Sequence, residues 1–421
     1  MIQFFELLPG VNLRCYPDKR FKQGAVSIQF LRTMCREEAA LNALLPAVLL
    51  RGTQEHPDLR SITWHLDDLY GASVGALVRR VGDYQTTGLY CGFMDDRFAL
   101  SGDRILEPMM AFLEEILLHP ALENGAFRKG FVDSEKKNLI ATLESERNDK
   151  RVYANARLLR SMCREDSFGI PRLGEKEQVA AIDPKNLYDH YQRVLRESPI
   201  NLFYVGAADP EQVAALLKKL FSKLERQIVS LPKQTPFHDC GSKDWSESLD
   251  VAQGKLCMGF TTQVTIRDAD FVPMQLFNGI FGAGMTSKLF MNVREKMSLC
   301  YDIGSGFHGS KGILVVSAGI DFDKEQVVRQ EVLQQLDACC QGEITQQELN
   351  SAKEALLSSL RATHDSPGAI ENYYSSAALS GLKLTPDTYM QAVEDGRVED
   401  VIRVAKGLKL HSVFFLKGVE A

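Results

Sequence analysis

The chain has 421 residues, with 49 Lys+Arg against 55 Asp+Glu, a formal net charge of −6 and 45% apolar residues. This is ordinary globular composition, which excludes a disordered or collagen-like chain, and the length sets an expectation of two to three domains. The acidic balance argues against nucleic-acid binding, which needs a basic face, and no apolar run reaches the roughly 18–20 uncharged residues that cross a bilayer.

The N-terminal stretch has no basic segment ahead of its apolar residues, and Glu6, Pro9 and Gly10 interrupt them, so it reads as a strand rather than a secretory signal. Strands are expected at 11–17 and 25–32, the second alternating Val26, Ile28 and Phe30. Residues 37–51 and 59–70 read as helices, and 74–80 and 84–94 as strands joined by a Gly-Asp turn. A helix over 105–118 shows an apolar face and is stopped by Pro120. Amphipathic helices follow near 127–147, 151–163 and 184–195, then a strand at 200–205. Residues 226–250 are polar and aperiodic with two prolines, the composition of a linker.

Beyond the linker the order repeats. Strands are expected at 255–263, 300–307, 312–320 and 411–417, and helices at 271–281, 286–297, 323–340, 345–363, 368–380 and 396–406. The repeat also shows in the residues. Gly24–Phe30 matches Gly254–Phe260, and Gly52 matches Gly282, both at an offset of 230. Ser134–Leu143 matches Ser351–Leu360 at 217, and Leu202–Gly206 matches Phe414–Gly418 at 212. The matches are collinear, as duplication of one domain requires. The expected fold is α+β: two tandem homologous domains, 1–225 and 251–421, each a mostly antiparallel sheet covered by helices.

The nine cysteines form no CxxC pair, which argues against a disulfide framework or a structural zinc site and for reduced thiols in the cytoplasm. None of the eight histidines has another three or four residues away, so no helix offers two imidazoles on one face. Gly282-Ala-Gly284-Met-Thr-Ser-Lys288 lacks the glycine that a P-loop needs before its lysine, and a tight turn between helices is the better reading. Cys257 and Cys300 have polar neighbours but no histidine pattern beside them.

The stretch Gly282–Tyr301 resembles the second-domain signature of the pitrilysin, insulinase and mitochondrial processing peptidase family. It carries a glycine-rich turn, Ser-x-Leu-Phe, Arg294-Glu-Lys, and Tyr301 seven residues after the arginine. Leu69-Tyr-Gly-Ala72 and the duplicated halves are similar to that family too. The resemblance implies a zinc peptidase ancestry, in which an HxxEH helix of the first domain supplies two histidines and a glutamate base, and a distal glutamate completes the site. Counting back from the turn Arg51-Gly52-Thr53, those three positions hold Ala43, Pro46 and Ala47. The distal ligand would fall near 141–142, with Glu144 and Glu146 nearby and their status open. Alanine has no donor atom and proline cannot act as a base, so hydrolysis by the family mechanism is not expected from this chain.

What remains is the pair Arg294 and Tyr301, with Gly282 and Gly284 beside them. In the family these groups hold the substrate backbone and stabilise the oxyanion. The resemblance therefore implies a non-catalytic, substrate-binding subunit that forms half of a peptide chamber. Its partner would be a homologous HxxEH subunit holding the zinc. The substrate would be a peptide or small protein, and a homodimer of the isolated chain is left open by the sequence. Two rival readings are a structural or assembly protein derived from the same fold, and a self-sufficient enzyme using a cysteine or an atypical metal site.

Overall fold

A computed structural model of the chain describes residues 2–419, which gather into two compact units. In chain order the elements begin β1 (Gln3–Leu8), β2 (Val11–Pro17), β3 (Gln23–Thr33), α1 (Arg36–Leu49), α2 (Leu59–Asp68), β4 (Ser73–Val81), β5 (Tyr84–Met94) and α3 (Leu106–Leu118). The short strands β6 (Leu122–Glu123) and β7 (Ala126–Phe127) precede α4 (Lys129–Asn148), α5 (Lys150–Met162), α6 (Lys176–Ala180), α7 (Pro184–Glu197), β8 (Ile200–Gly206) and α8 (Pro210–Phe221). Then come β9 (Asp244–Leu249), β10 (Gly254–Thr261), α9 (Phe271–Phe281), a π-helix (Leu289–Lys296), β11 (Asp302–His308) and β12 (Ile313–Ile320). The chain closes with α10 (Glu325–Gln341), α11 (Gln346–Ala362), α12 (Pro367–Ser380), α13 (Pro386–Asp395), α14 (Val398–Ala405) and β13 (Lys409–Gly418).

The fold is α+β, as expected, with one large, mostly antiparallel sheet in each unit and the small β6–β7 pair in the first. The first sheet runs β1-β2-β8-β3-β5-β4 and the second β11-β12-β10-β13-β9. Read from the other edge, the second order, β9-β13-β10-β12-β11, repeats β2-β8-β3-β5-β4 of the first. Even the single parallel pair recurs, β2 with β8 and β9 with β13. Register carries the duplication to single residues. Ser27 lies opposite Tyr90 and Phe203, and Cys257 opposite Ser317 and Phe414. The structural offset between β8 and β13 is therefore 211, one less than the residue match indicated. In a strand one residue exchanges the two faces, so only the pairing decides it.

The units depart from a division in chain order at 226–250. The first unit takes residues up to Leu143, Pro171–Lys233 and His364–Ser376, and the second takes Glu144–Ile170, Gln234–Thr363 and residues from Ala377 on. The halves thus exchange helices: α5 covers Cys257, Phe414 and Leu416 with Ala154, Leu158 and Met162, while Ile370 of α12 packs on Phe203 and Val205. The central strands of each sheet are buried on both faces as a result. The linker is also shorter than expected, because Asp244–Leu249 forms the edge strand β9, with Trp245, Glu247 and Leu249 half-buried in alternation. Its charged and hydroxyl residues hide that period in the sequence.

Candidate functional site

Helix α1 carries the three positions where the resemblance puts zinc chemistry. Ala43 and Pro46 are buried and Ala47 is half-buried. None of the three side chains has a nitrogen, oxygen or sulfur donor, so these positions cannot hold the metal. Among the described residues, no three His, Cys, Asp or Glu side chains come together as a metal site. Glu144 and Glu146 are exposed on α4. Pro46 sits inside α1 without breaking it. Its missing N–H leaves the Asn42 carbonyl, four residues back, without a helical donor. The hydroxyl of Thr87 on β5 donates to that carbonyl at 2.7 Å and replaces the lost bond.

A buried polar network surrounds the same turn of α1. The Asn42 amide donates to Gln85 Oε1 at 2.9 Å, and its Oδ1 pairs with His190 Nε2 at 2.8 Å. Arg193 lies 3.2 Å from His190 Nδ1. With Asn42 Oδ1 accepting and Arg193 donating, the imidazole is neutral with its proton on Nε2. Burial lowers the His190 pKa to about 4 from 6.5, outweighing Glu38 and Glu197, which pull upward, and reinforced by Arg193 and Arg32. A base whose folded pKa is depressed contributes stability that is whole above the unfolded value and is lost as pH falls through the folded one. Stability should therefore fall by about 3 kcal/mol as pH drops from 6.5 to about 4. Thermal unfolding of wild type and His190→Gln across that window measures it, and the variant should show the shallower slope.

In the second unit the sequence motif folds into a compact turn. Gly282 closes α9 by donating to the Asn278 carbonyl at 3.0 Å, and its own carbonyl accepts from the Ser305 N–H of β11 at 3.0 Å. A Cβ at Gly282 would lie 2.5 Å from Ser305 Oγ, so only glycine lets the strand approach. Gly284 has φ +123, a conformation that side chains resist. The π-helix then carries Arg294. Its widened winding shows in the Met297 N–H, which reaches back five residues to Asn292 at 3.0 Å, and in Ser298, which ends it at φ +52. π-Turns are uncommon and concentrate at functional sites.

Arg294 and Tyr301 line one cavity of about 410 Å³, together with Glu295, Cys300 and Asp321. Arg294 Nε donates to the Tyr301 carbonyl at 2.9 Å, and its guanidinium lies 4.6 Å from the centroid of the Phe290 ring. Glu295 is 3.2 Å from its Nη1. The Tyr301 side chain is exposed, and its hydroxyl donates to Asp321 Oδ1 at 2.9 Å. That hydrogen bond and the charge of Asp321 raise the Tyr301 pKa, so the phenol keeps its proton and remains a donor. The site thus presents a cation and a neutral hydroxyl to one small volume, the pairing suited to a carbonyl oxygen gaining negative charge.

A family model described as the peptidase M16 inactive domain matches residues 181–356. A Bacillus subtilis (strain 168) protein named probable inactive metalloprotease YmfF is 29% identical over 411 residues, 98% of this chain and 96% of that protein. The crystal structure of a conserved protein from Enterococcus faecalis V583 matches with a TM-score of 0.92 at 28% identity, covering 99% of each chain. A peptidase M16 inactive domain structure from Pseudomonas fluorescens shares the fold, with a TM-score of 0.82 at 16% identity over 100% of this chain and 98% of that one. The chain is thus similar to M16 peptidases described as inactive, and its own zinc-motif positions on α1 hold Ala43, Pro46 and Ala47.

The remaining candidates are accounted for by packing. Lys288, the apparent P-loop lysine, is 8% exposed and pairs with Glu348 of α11 at 2.8 Å. Burial pushes the Cys257 thiol up to about 12 and the Cys300 thiol up to about 11, so neither offers a thiolate near neutral pH. Two residues of the candidate site escaped sequence reasoning. Phe290 stands four residues before Arg294 on the helix, a spacing that places the two side by side and was legible. Asp321 follows Tyr301 by twenty residues, across the β11–β12 hairpin, and no local pattern marks it.

Proposed function

We propose that the chain is the non-catalytic, substrate-binding subunit of a two-subunit zinc metallopeptidase, contributing Arg294 and Tyr301 to the partner's active site and half of the peptide chamber. One observation carries this reading: the two donors share a single cavity in a chain whose α1 has no donor atom at the three zinc-motif positions. Gly282 and Gly284 shape the turn ahead of the π-helix and line a separate cavity rather than that of the two donors. The partner is a homologous subunit with an intact HxxEH helix, and the zinc is its own. The substrate is a peptide or small protein, whose scissile carbonyl replaces Asp321 as the acceptor for Tyr301. All nine cysteines are free thiols, which suits a reducing cytoplasm. Among the described residues no helix is long and apolar enough to cross a membrane.

The test is reconstitution with an HxxEH homologue. Arg294→Ala should lower kcat about 10²–10³-fold, the loss found when one oxyanion donor is removed, and Tyr301→Phe should act in the same direction. Assembly, followed by size-exclusion chromatography, should be unchanged by either. Unaltered activity in both variants would favour the structural or assembly role instead.

A further inference from the structure

We propose that a second cavity in the same unit is a side-chain subsite, which takes an aromatic or branched apolar residue of the peptide held at Arg294 and Tyr301. This rests on the substrate-binding reading above. The cavity measures about 650 Å³ and is bounded by Val152 and Leu159 of α5, Phe290 and Met285, with Gly304 and Gly306 of β11 as its floor. That volume lies within the roughly 300–1,000 Å³ typical of ligand sites.

The internal duplication shows why the space exists. In the first sheet, adjacent strands align Ser27 with Tyr90 and Gly75, and Gln29 with Gly88 and Leu77. The matching rows of the second sheet are Cys257 with Ser317 and Gly304, and Gly259 with Val315 and Gly306. Where the first copy places Tyr90 and the buried Leu77, the second places Ser317 and Gly306. Helix α5 packs over β10, β12 and β13. A Cβ added to Gly306 would meet nothing within 4 Å. Glycine in a strand weakens it unless something must approach closely, and no protein atom does here.

Position and chemistry select the occupant. Phe290 lines this cavity while its ring faces the Arg294 guanidinium at 4.6 Å, so the cavity adjoins the donor pair. Phe290, Leu159 and Val152 supply apolar contact, and Met285, 75% exposed, supplies an adaptable thioether. The Ser305 N–H on the outer edge of β11 is already bonded to Gly282. That bond interrupts the edge along which a strand would add, whereas the cavity stays open to a side chain.

The test restores the first copy's filling with Gly306→Leu and, independently, Ser317→Tyr in the full chain. Fluorescence anisotropy would follow short labelled Ala/Ser peptides carrying a central Phe or a central Ala. Wild type should bind the Phe peptide at least about tenfold more tightly. Both filled variants should keep the wild-type unfolding midpoint and bind the two peptides alike. A Phe preference that survives in both variants, its absence from wild type, or collapse of both variants would overturn the subsite. Arg294→Ala separates the two claims. If it weakens both peptides equally while filling changes nothing, the donor site stands and the subsite falls. If it leaves binding intact while filling removes the Phe preference, the subsite stands and the donor role falls.

Discussion

Glu371→Ala should lower the unfolding free energy of the first unit by about 3–5 kcal/mol, the range for breaking a buried charged pair. Glu371 belongs to α12, in the second half of the sequence, yet it is 1% exposed against the first sheet. Its carboxylate accepts from Arg79 at 3.0 and 2.7 Å, from Gln29 at 2.8 Å, from Ser27 at 2.7 Å and from Ser375 at 3.0 Å. Removing it leaves buried donors that water cannot reach. Arg79, whose side chain is 28% exposed, can recover some hydration, which favours the lower part of the range. Glu371→Gln keeps an acceptor and should cost less. Urea unfolding with probes in the first unit measures both variants. A cost below about 1 kcal/mol for the alanine variant would mean the exchanged helix is held by apolar contact alone.

Lys311→Met should have a comparable effect in the second unit. The Lys311 side chain is fully buried and that of Asp166 is 3% exposed, with the ammonium 2.8 and 3.0 Å from the two carboxylate oxygens. Asp166 lies in the segment that the first half lends to the second unit, and it also accepts from the Phe168 N–H at 2.8 Å. Loss of the lysine strands a carboxylate in a low-dielectric interior, at a cost of about 3–5 kcal/mol. Adding Asp166→Asn removes the stranded charge while keeping the acceptor for Phe168. The double variant should therefore recover part of the loss, and the coupling can be read from a double-mutant cycle. Full additivity would mean the two groups act independently. Each exchanged segment thus supplies one partner of a buried ion pair to the unit it joins.

Much of this architecture is legible along the chain, because periodic apolar residues mark most strands and helices. The exchange of α5 and α12 is not. Ser27 and Gln29 alternate with Val26, Ile28 and Phe30 as though facing water, and only Glu371, more than three hundred residues away, explains their burial. Two further helices carry signals that are readable along the chain. Asp209-Pro210 opens α8 and Thr385-Pro386 opens α13, each a capping residue followed by proline at the first helical position. At the site, Arg294 and Tyr301 stand out through a motif. Asp321 and Gly306 become visible only through strand pairing, which no spacing along the chain expresses.

The most direct measurement compares peptidase turnover by the purified chain alone, by an HxxEH homologue alone, and by the two mixed, with metal content determined on each. The account predicts no zinc and no turnover for this chain alone, and turnover in the mixture that falls when Arg294→Ala replaces wild type. Stoichiometric zinc and unaided peptide cleavage by the isolated chain would contradict it.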